Sequence, residues 1–223
     1  MPSKNAIKTY VENSHYHIYN RGVEKRKIFQ DEQDYGVFLK YLREYLSPIQ
    51  SDEPTLQGQS LKKVYAYRKP KNYNKEIELH AFCLMPNHFH LLIKQKDKDS
   101  ISGFMSSLLT RYSMYFNKKY ERVGPLYQDR YKAVLVNEEN YLLHLSRYIH
   151  LNPSEHTKDL ADAYSSYSHY IGKVKADWVK PDLILSYFNK ATKDFLKGTN
   201  TYKNFVEKFK KDSGEVLGKL ALD

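Results

Sequence analysis

The 223-residue chain has one cysteine, Cys83. A lone cysteine excludes an internal disulfide and any cysteine-rich metal cage. Cys83 stands in an apolar stretch and reads as a small core residue. No run of about 18 apolar residues occurs, so no membrane-spanning helix is expected. The opening Met-Pro-Ser-Lys-Asn lacks the apolar centre of a signal peptide. With no disulfide and no secretion signal, a cytoplasmic protein is expected. No internal repeat is visible. Arginine is absent from the last third, since all eight fall between Arg21 and Arg147.

What the chain has in abundance is positive charge and tyrosine. Its 36 Lys and Arg against 26 Asp and Glu give a net charge of +10. A charge of that size suits a polyanionic partner, nucleic acid first, although it also serves solubility. Tyrosines number 21, and several adjoin basic residues, as in Arg111-Tyr112 and Lys118-Lys119-Tyr120. Cations hold phosphates and aromatic rings stack on unpaired bases. The candidate phosphate contacts are Arg21, Arg111, Lys118, Lys119, Arg130, Lys132 and Arg147.

Alternation and helical periodicity divide the chain. Residues 15–21 read as a strand ending at Gly22. Asp31 is placed to cap a helix over 32–46, whose Tyr35, Phe38, Leu39, Leu42, Tyr45 and Leu46 make one apolar stripe. Residues 47–75, with Pro48, Pro54, Gly58 and Pro70, read as an irregular insertion with an extended piece at Val64–Arg68. Two strands follow, 76–84 and 88–94, joined by a tight Met85-Pro86-Asn87 turn. A helix over 101–119 carries Phe104, Met105, Leu108, Leu109, Tyr112, Tyr115 and Phe116 inward. A strand at 131–136 leads to Asn137, an expected N-cap, and a third helix that Pro153 stops.

Strand, helix, strand, strand, helix, strand, helix is a split βαβ, ferredoxin-like order. The expected fold is therefore α+β. Its four-stranded antiparallel sheet would have helices on one face and the other face available for a site. Residues 1–156 would form the catalytic domain. Residues 157–223 would form a small helical extension packed on it, with Trp178, an apolar run from Leu183 to Phe188, and a helix bearing Tyr202, Phe205, Val206 and Phe209.

His88 and His90 begin the second strand of the hairpin. Residues two apart on a strand share a face and lie roughly 6–7 Å apart along it, close enough to bind one metal ion together. His15 and His17 form a rival pair. On the third helix, Tyr148 and Asn152 are one turn apart on one face. If that face lies over the sheet, the Asn152 amide oxygen becomes a third ligand and the Tyr148 phenol a nucleophile. Against this, Tyr141, Leu145 and Tyr148 share a stripe, as core residues would. A structural zinc site on His88 and His90 is disfavoured because no further Cys or His stands at suitable spacing.

Three segments carry a resemblance: His80-Ala-Phe-Cys-Leu-Met-Pro-Asn-His-Phe-His-Leu-Leu92, Gly124-Pro-Leu-Tyr-Gln-Asp-Arg-Tyr-Lys132 and Ser146-Arg-Tyr-Ile-His-Leu-Asn-Pro153. They look like those of REP-associated tyrosine transposases, within the single-tyrosine HUH transposases. His15-Tyr-His-Ile-Tyr-Asn-Arg-Gly22 and Tyr164-Ser-Ser-Tyr167 also resemble the family, so the likeness runs from about residue 15 to 190. It implies His88, His90 and Asn152 as metal ligands, for Mn²⁺ or Mg²⁺, and Tyr148 as nucleophile. It also implies cleavage and rejoining of single-stranded, hairpin-forming DNA through a 5′-phosphotyrosine. After Asn-Pro the family usually continues Val-Arg-Ala-Gly. Here Ser154-Glu-His-Thr157 stands instead, without the basic residue. The alternative is a non-catalytic nucleic-acid-binding module on the same fold. A homodimer and a monomer fit equally well.

Overall fold

The computed structural model describes residues 10–49, 71–189 and 201–208. Its core is a four-stranded sheet of β1 (His15–Arg21), β2 (Ile77–Met85), β3 (His88–Gln95) and β4 (Lys132–Val136), ordered β2-β3-β1-β4. Every neighbouring pair is antiparallel. With α1 (Glu32–Leu46) between β1 and β2, and α2 (Ser100–Lys119) between β3 and β4, this is the ferredoxin-like α+β fold that the element order predicts. Asp31 caps α1 as expected, its Oδ1 accepting from Asp34 N at 3.1 Å.

The strands' alternation sorts their side chains into two cores. On one face Tyr16, Ile18, Phe82, Phe89, Leu91 and Ile93 join Phe38 and Leu42 of α1 and Phe104, Leu108 and Tyr112 of α2. The opposite face is not left bare, as the element order had suggested. It carries α3 (Glu139–Leu151) and, behind it, α4 (Tyr167–Tyr170), α5 (Asp182–Asn189) and α6 (Tyr202–Glu207). Ala81, Cys83 and Leu92 of the sheet bury there with Leu142, Leu145 and Ile149 of α3 and with Tyr167, Phe188, Tyr202 and Phe205. The segment before α4 also covers the edge strand β2. Leu84 N donates to Tyr164 O at 2.9 Å and Ser166 N to Phe82 O at 3.0 Å, so the ladder has no bare edge there.

Two local expectations change. Asn137 does not cap α3: Glu138 occupies the N-cap, without a side-chain cap bond. Tyr45 and Tyr112 are core residues, as their helical stripes predict, and Tyr16, Tyr167, Tyr170 and Tyr202 are buried as well, so fewer tyrosines are open to bases than their number suggests. Tyr112 bonds Ile28 O through its hydroxyl at 2.6 Å. The ends of the 47–75 stretch are tied together by Asn72 Nδ2 donating to Ser47 O at 2.9 Å. The expected extended piece at Val64–Arg68, and Phe209, lie outside the described residues.

Candidate active site

The β2–β3 hairpin turns over Pro86-Asn87 and is held against the end of β1. Gly22 N donates to Asn87 O at 2.9 Å, and Ile28 N and Phe29 N donate to Pro86 O at 2.7 and 3.0 Å. A Cβ on Gly22 would lie 2.3 Å from Arg26 O, so only glycine allows this approach. The contact fixes the start of β3, where His88 stands opposite Arg21 and His90 opposite Tyr19.

His88 and His90 share the face that α3 covers, with ring centroids 5.0 Å apart and planes at 90°. His90 is fully buried. Its Nδ1 lies 2.8 Å from His17 Nε2, and its Nε2 is buried with no hydrogen-bond partner. His88 is half-buried, with Nδ1 2.6 Å from Asn87 Oδ1. Burial foremost, then Arg21, holds the His88 pKa at about 4, while a hydrogen bond to the Asn152 side chain pulls the other way. Burial, then His17, His88 and Arg21, keeps His90 well below the usual histidine range. Both rings are therefore neutral at pH 7, the form in which imidazole offers a lone pair.

The last turn of α3 completes the cluster. The Tyr148 ring stands 5.5 Å from that of His90, nearly perpendicular at 84°, and 6.3 Å from that of His17. Asn152 Nδ2 donates back to Tyr148 O at 3.1 Å. The Asn152 side chain also stands within hydrogen-bond reach of His88. Tyr148 and Asn152 are half-buried, at a rim rather than mid-core. His88, His90, Tyr148 and Asn152 thus come together from two elements more than fifty residues apart in sequence. Among the described residues no group of three or more His, Cys, Asp or Glu gathers for a metal. Here the third donor would be an amide oxygen. Two neutral imidazoles and one amide oxygen are a donor set for Mn²⁺ or Mg²⁺.

The rival pair separates. His17 turns to His90, whereas the His15 ring lies 5.1 Å from that of His80. His150 is buried between Tyr202 and Ser166, 2.7 Å from each hydroxyl, away from the cluster. The pairing of His17 with His90 was not read from the sequence. Its signal was two His-x-His patterns on strands that prove to be neighbours.

The family model "Transposase IS200 like" matches residues 10–152. The chain belongs to the IS200-like transposase family. A solved REP-associated tyrosine transposase, bound to a REP hairpin, shares 14% identity and superposes with a TM-score of 0.50, covering 80% of this chain and 92% of that one. A candidate transposase from Deinococcus radiodurans shares 17% identity with a TM-score of 0.36, over 67% of this chain and 95% of the other. No curated protein matches the chain.

The cations of this IS200-like transposase divide into two groups. Three that the sequence offered as phosphate contacts are engaged by partners within the protein, and for Arg147, which is fully buried, the expectation is corrected. Arg147 is fully buried, its Nη2 2.6 Å from His144 Nδ1 and its guanidinium 4.6 Å from the Phe205 ring centroid. Lys119 pairs with Asp31 at 2.7 Å and Asp34 at 2.8 Å. Arg111 stacks over Tyr41 at 3.8 Å and pairs with Glu44 at 2.6 Å. Arg130 and Lys118 are exposed, and Lys132 is half-buried. Arg21 lies at the rim of the cluster, its Nε buried with no hydrogen-bond partner.

Proposed function

We propose that the protein is a metal-dependent endonuclease and strand transferase for single-stranded, hairpin-forming DNA. It would work through a 5′-phosphotyrosine at Tyr148. The observation that carries this reading is the convergence of His88, His90, Asn152 and the Tyr148 ring at one rim of the sheet. Family membership supports the transposase chemistry. The hairpin carried by the REP-associated relative supports the substrate class.

His88 and His90 would hold the divalent ion with the Asn152 oxygen. Their fit rests on two neutral rings, on the partnerless Nε2 of His90, and on Asn87 and His17 fixing the far nitrogen of each ring. Bound there, the ion would polarise a phosphoryl oxygen and stabilise the charge that grows on it. Tyr148 supplies the nucleophile. Its oxygen forms a bond to phosphorus as the bond from phosphorus to the 3′ oxygen breaks. The proton lost by the phenol equals the one gained by the 3′-OH fragment. The phosphotyrosine keeps the phosphodiester's bond energy, so a 3′-OH can attack it and rejoin DNA without a nucleotide cofactor. Arg21, at the same rim, would meet the phosphate; exposed Arg130 and Lys118 would hold the flanking backbone.

The test is incubation of the full chain with end-labelled single-stranded hairpin DNA and Mn²⁺. The expected result is a covalent adduct carrying the DNA by its 5′-phosphate and a released 3′-OH fragment, both lost with chelator. Intact DNA under these conditions, or an adduct through a 3′-phosphate, would overturn the reading.

A further inference from the structure

His17 and His90 are both fully buried, on neighbouring strands and diagonal in register, since the strand partner of His17 is Leu92 and that of His90 is Tyr19. Their rings stack at 5.1 Å with planes only 18° apart, and Nε2 of one lies 2.8 Å from Nδ1 of the other. Tyr19, with ring centroids 4.8 Å from His17 and 5.9 Å from His90, and Tyr148 on the other side wall the pair in. Neither ring can turn away without displacing a packed aromatic.

A hydrogen bond between two neutral imidazoles needs one donor and one acceptor, and each ring carries a single proton. Two arrangements satisfy it. In the first, His17 Nε2–H donates to His90 Nδ1, and the His90 proton sits on Nε2. That points a buried N–H with no acceptor into the site and leaves no lone pair there. In the second, His90 Nδ1–H donates to His17 Nε2, and a lone pair remains on His90 Nε2, on the ring that stands 5.0 Å from that of His88. Only the second can ligate a cation. The second arrangement moves the buried N–H from His90 Nε2 to His17 Nδ1, so the need to ligate a cation, and not the count of buried donors, distinguishes the two.

We propose that His17 is a positioning residue. By accepting the Nδ1 proton of His90, it selects the tautomer and fixes the ring angle that present His90 Nε2 to a divalent cation. The inference rests on the metal site proposed above. His17 is not itself a ligand, because its Nε2 is turned to His90. Outer hydrogen-bond partners of ligating histidines commonly govern metal affinity in this way.

Mn²⁺ affinity of the metal-free full chain, read by calorimetry and by the paramagnetic signal of free Mn²⁺, tests this without any assay of cleavage. His17→Gln places an amide oxygen near the position of the lost Nε2 and should bind Mn²⁺ within about threefold of the parent. His17→Leu keeps bulk but not the acceptor and should bind about 10- to 100-fold more weakly. His17→Asn, whose amide is one carbon too short to reach His90, should behave like His17→Leu and carries the test if the leucine variant does not fold. Parent-like affinity in the folded Leu or Asn variant would overturn the proposal. So would a glutamine variant as weak as leucine, since ring packing rather than the acceptor would then matter. His88→Ala/His90→Ala is the reference. If it binds Mn²⁺ as well as the parent, the metal site itself is wrong and this inference falls with it. If it fails to bind while His17→Leu matches the parent, only the role of His17 is refuted.

Discussion

The Tyr148 ring meets His90 edge-on, centroids 5.5 Å apart and planes at 84°. A residue of α3 and a residue of β3 thereby share one wall of the site, although the helix was free to bury its tyrosine in the stripe with Leu145. The phenol stands at a half-exposed rim, where a backbone phosphate can approach it.

Replacing Tyr148 with Phe keeps the ring and its contacts with His90 and His17 and removes the oxygen. Stability should change by about 1 kcal/mol or less, as for one lost hydrogen bond. Covalent protein–DNA adducts should vanish, while hairpin binding and Mn²⁺ binding persist. Gel shift and denaturing electrophoresis separate these readouts. An adduct that survives, or that peptide mass assigns to another tyrosine, would show that the nucleophile lies elsewhere.

For the proposed ligands, His88→Ala/His90→Ala should lower Mn²⁺-dependent cleavage by at least about a thousandfold, given that a Lewis acid at the phosphate contributes several kcal/mol. Hairpin affinity should change little, because neither ring is a cation at pH 7. Asn152→Leu should give a smaller loss, since two imidazoles remain. Cleavage by the double variant at the parent's rate would rule out this site.

The buried and exposed arginines should behave in opposite ways. Arg147→Ala leaves a cavity beside Phe205 and should cost about 2–4 kcal/mol in urea unfolding. Arg147→Met fills the space without a buried charge and should be near neutral. Neither should alter the salt dependence of hairpin binding. Arg130→Ala should leave stability unchanged and reduce the slope of log affinity against log salt by about one. A salt slope changed by Arg147→Met and unaffected by Arg130→Ala would reverse the assignment.

Stability should fall as the medium is acidified. His150 is held at a pKa of about 3, by burial first and then by His169. In the unfolded chain it returns to about 6.5. Below pH 6.5 the unfolded chain therefore takes up a proton that the folded protein refuses. The contribution is full above pH 6.5 and is lost as pH falls toward 3. In that window it is worth up to about 1.4 kcal/mol per pH unit. His15 and His144, each lowered to about 4 chiefly by burial, act with the same sign. Urea midpoints should drop steadily from pH 6.5 to 4.5. His150→Gln should be less stable at pH 7, having lost a ring bonded to Tyr202 and Ser166, but should show a shallower pH slope. An unchanged slope would remove His150 from this account.

The amino-acid sequence by itself determined the elements and their order. Alternation along 15–21 and 88–94, the stripe over 32–46 and the Pro-Asn turn are local patterns, set by the two-residue and 3.6-residue periods of the backbone. The face shared by His88 and His90 and the one-turn spacing of Tyr148 and Asn152 were legible for the same reason. Only the tertiary structure decided what lay across from them. It joined His17 to His90, 73 positions away, and covered the second sheet face with α3 and the C-terminal helices. It also put Arg147 beneath Phe205 and paired Lys119 with Asp31 and Asp34. A charge or an imidazole looks the same in sequence whether it meets solvent, phosphate or a buried partner. Its fate depends on desolvation and on groups brought near by the fold, and those are set by which strands and helices pack together, not by its neighbours in the chain.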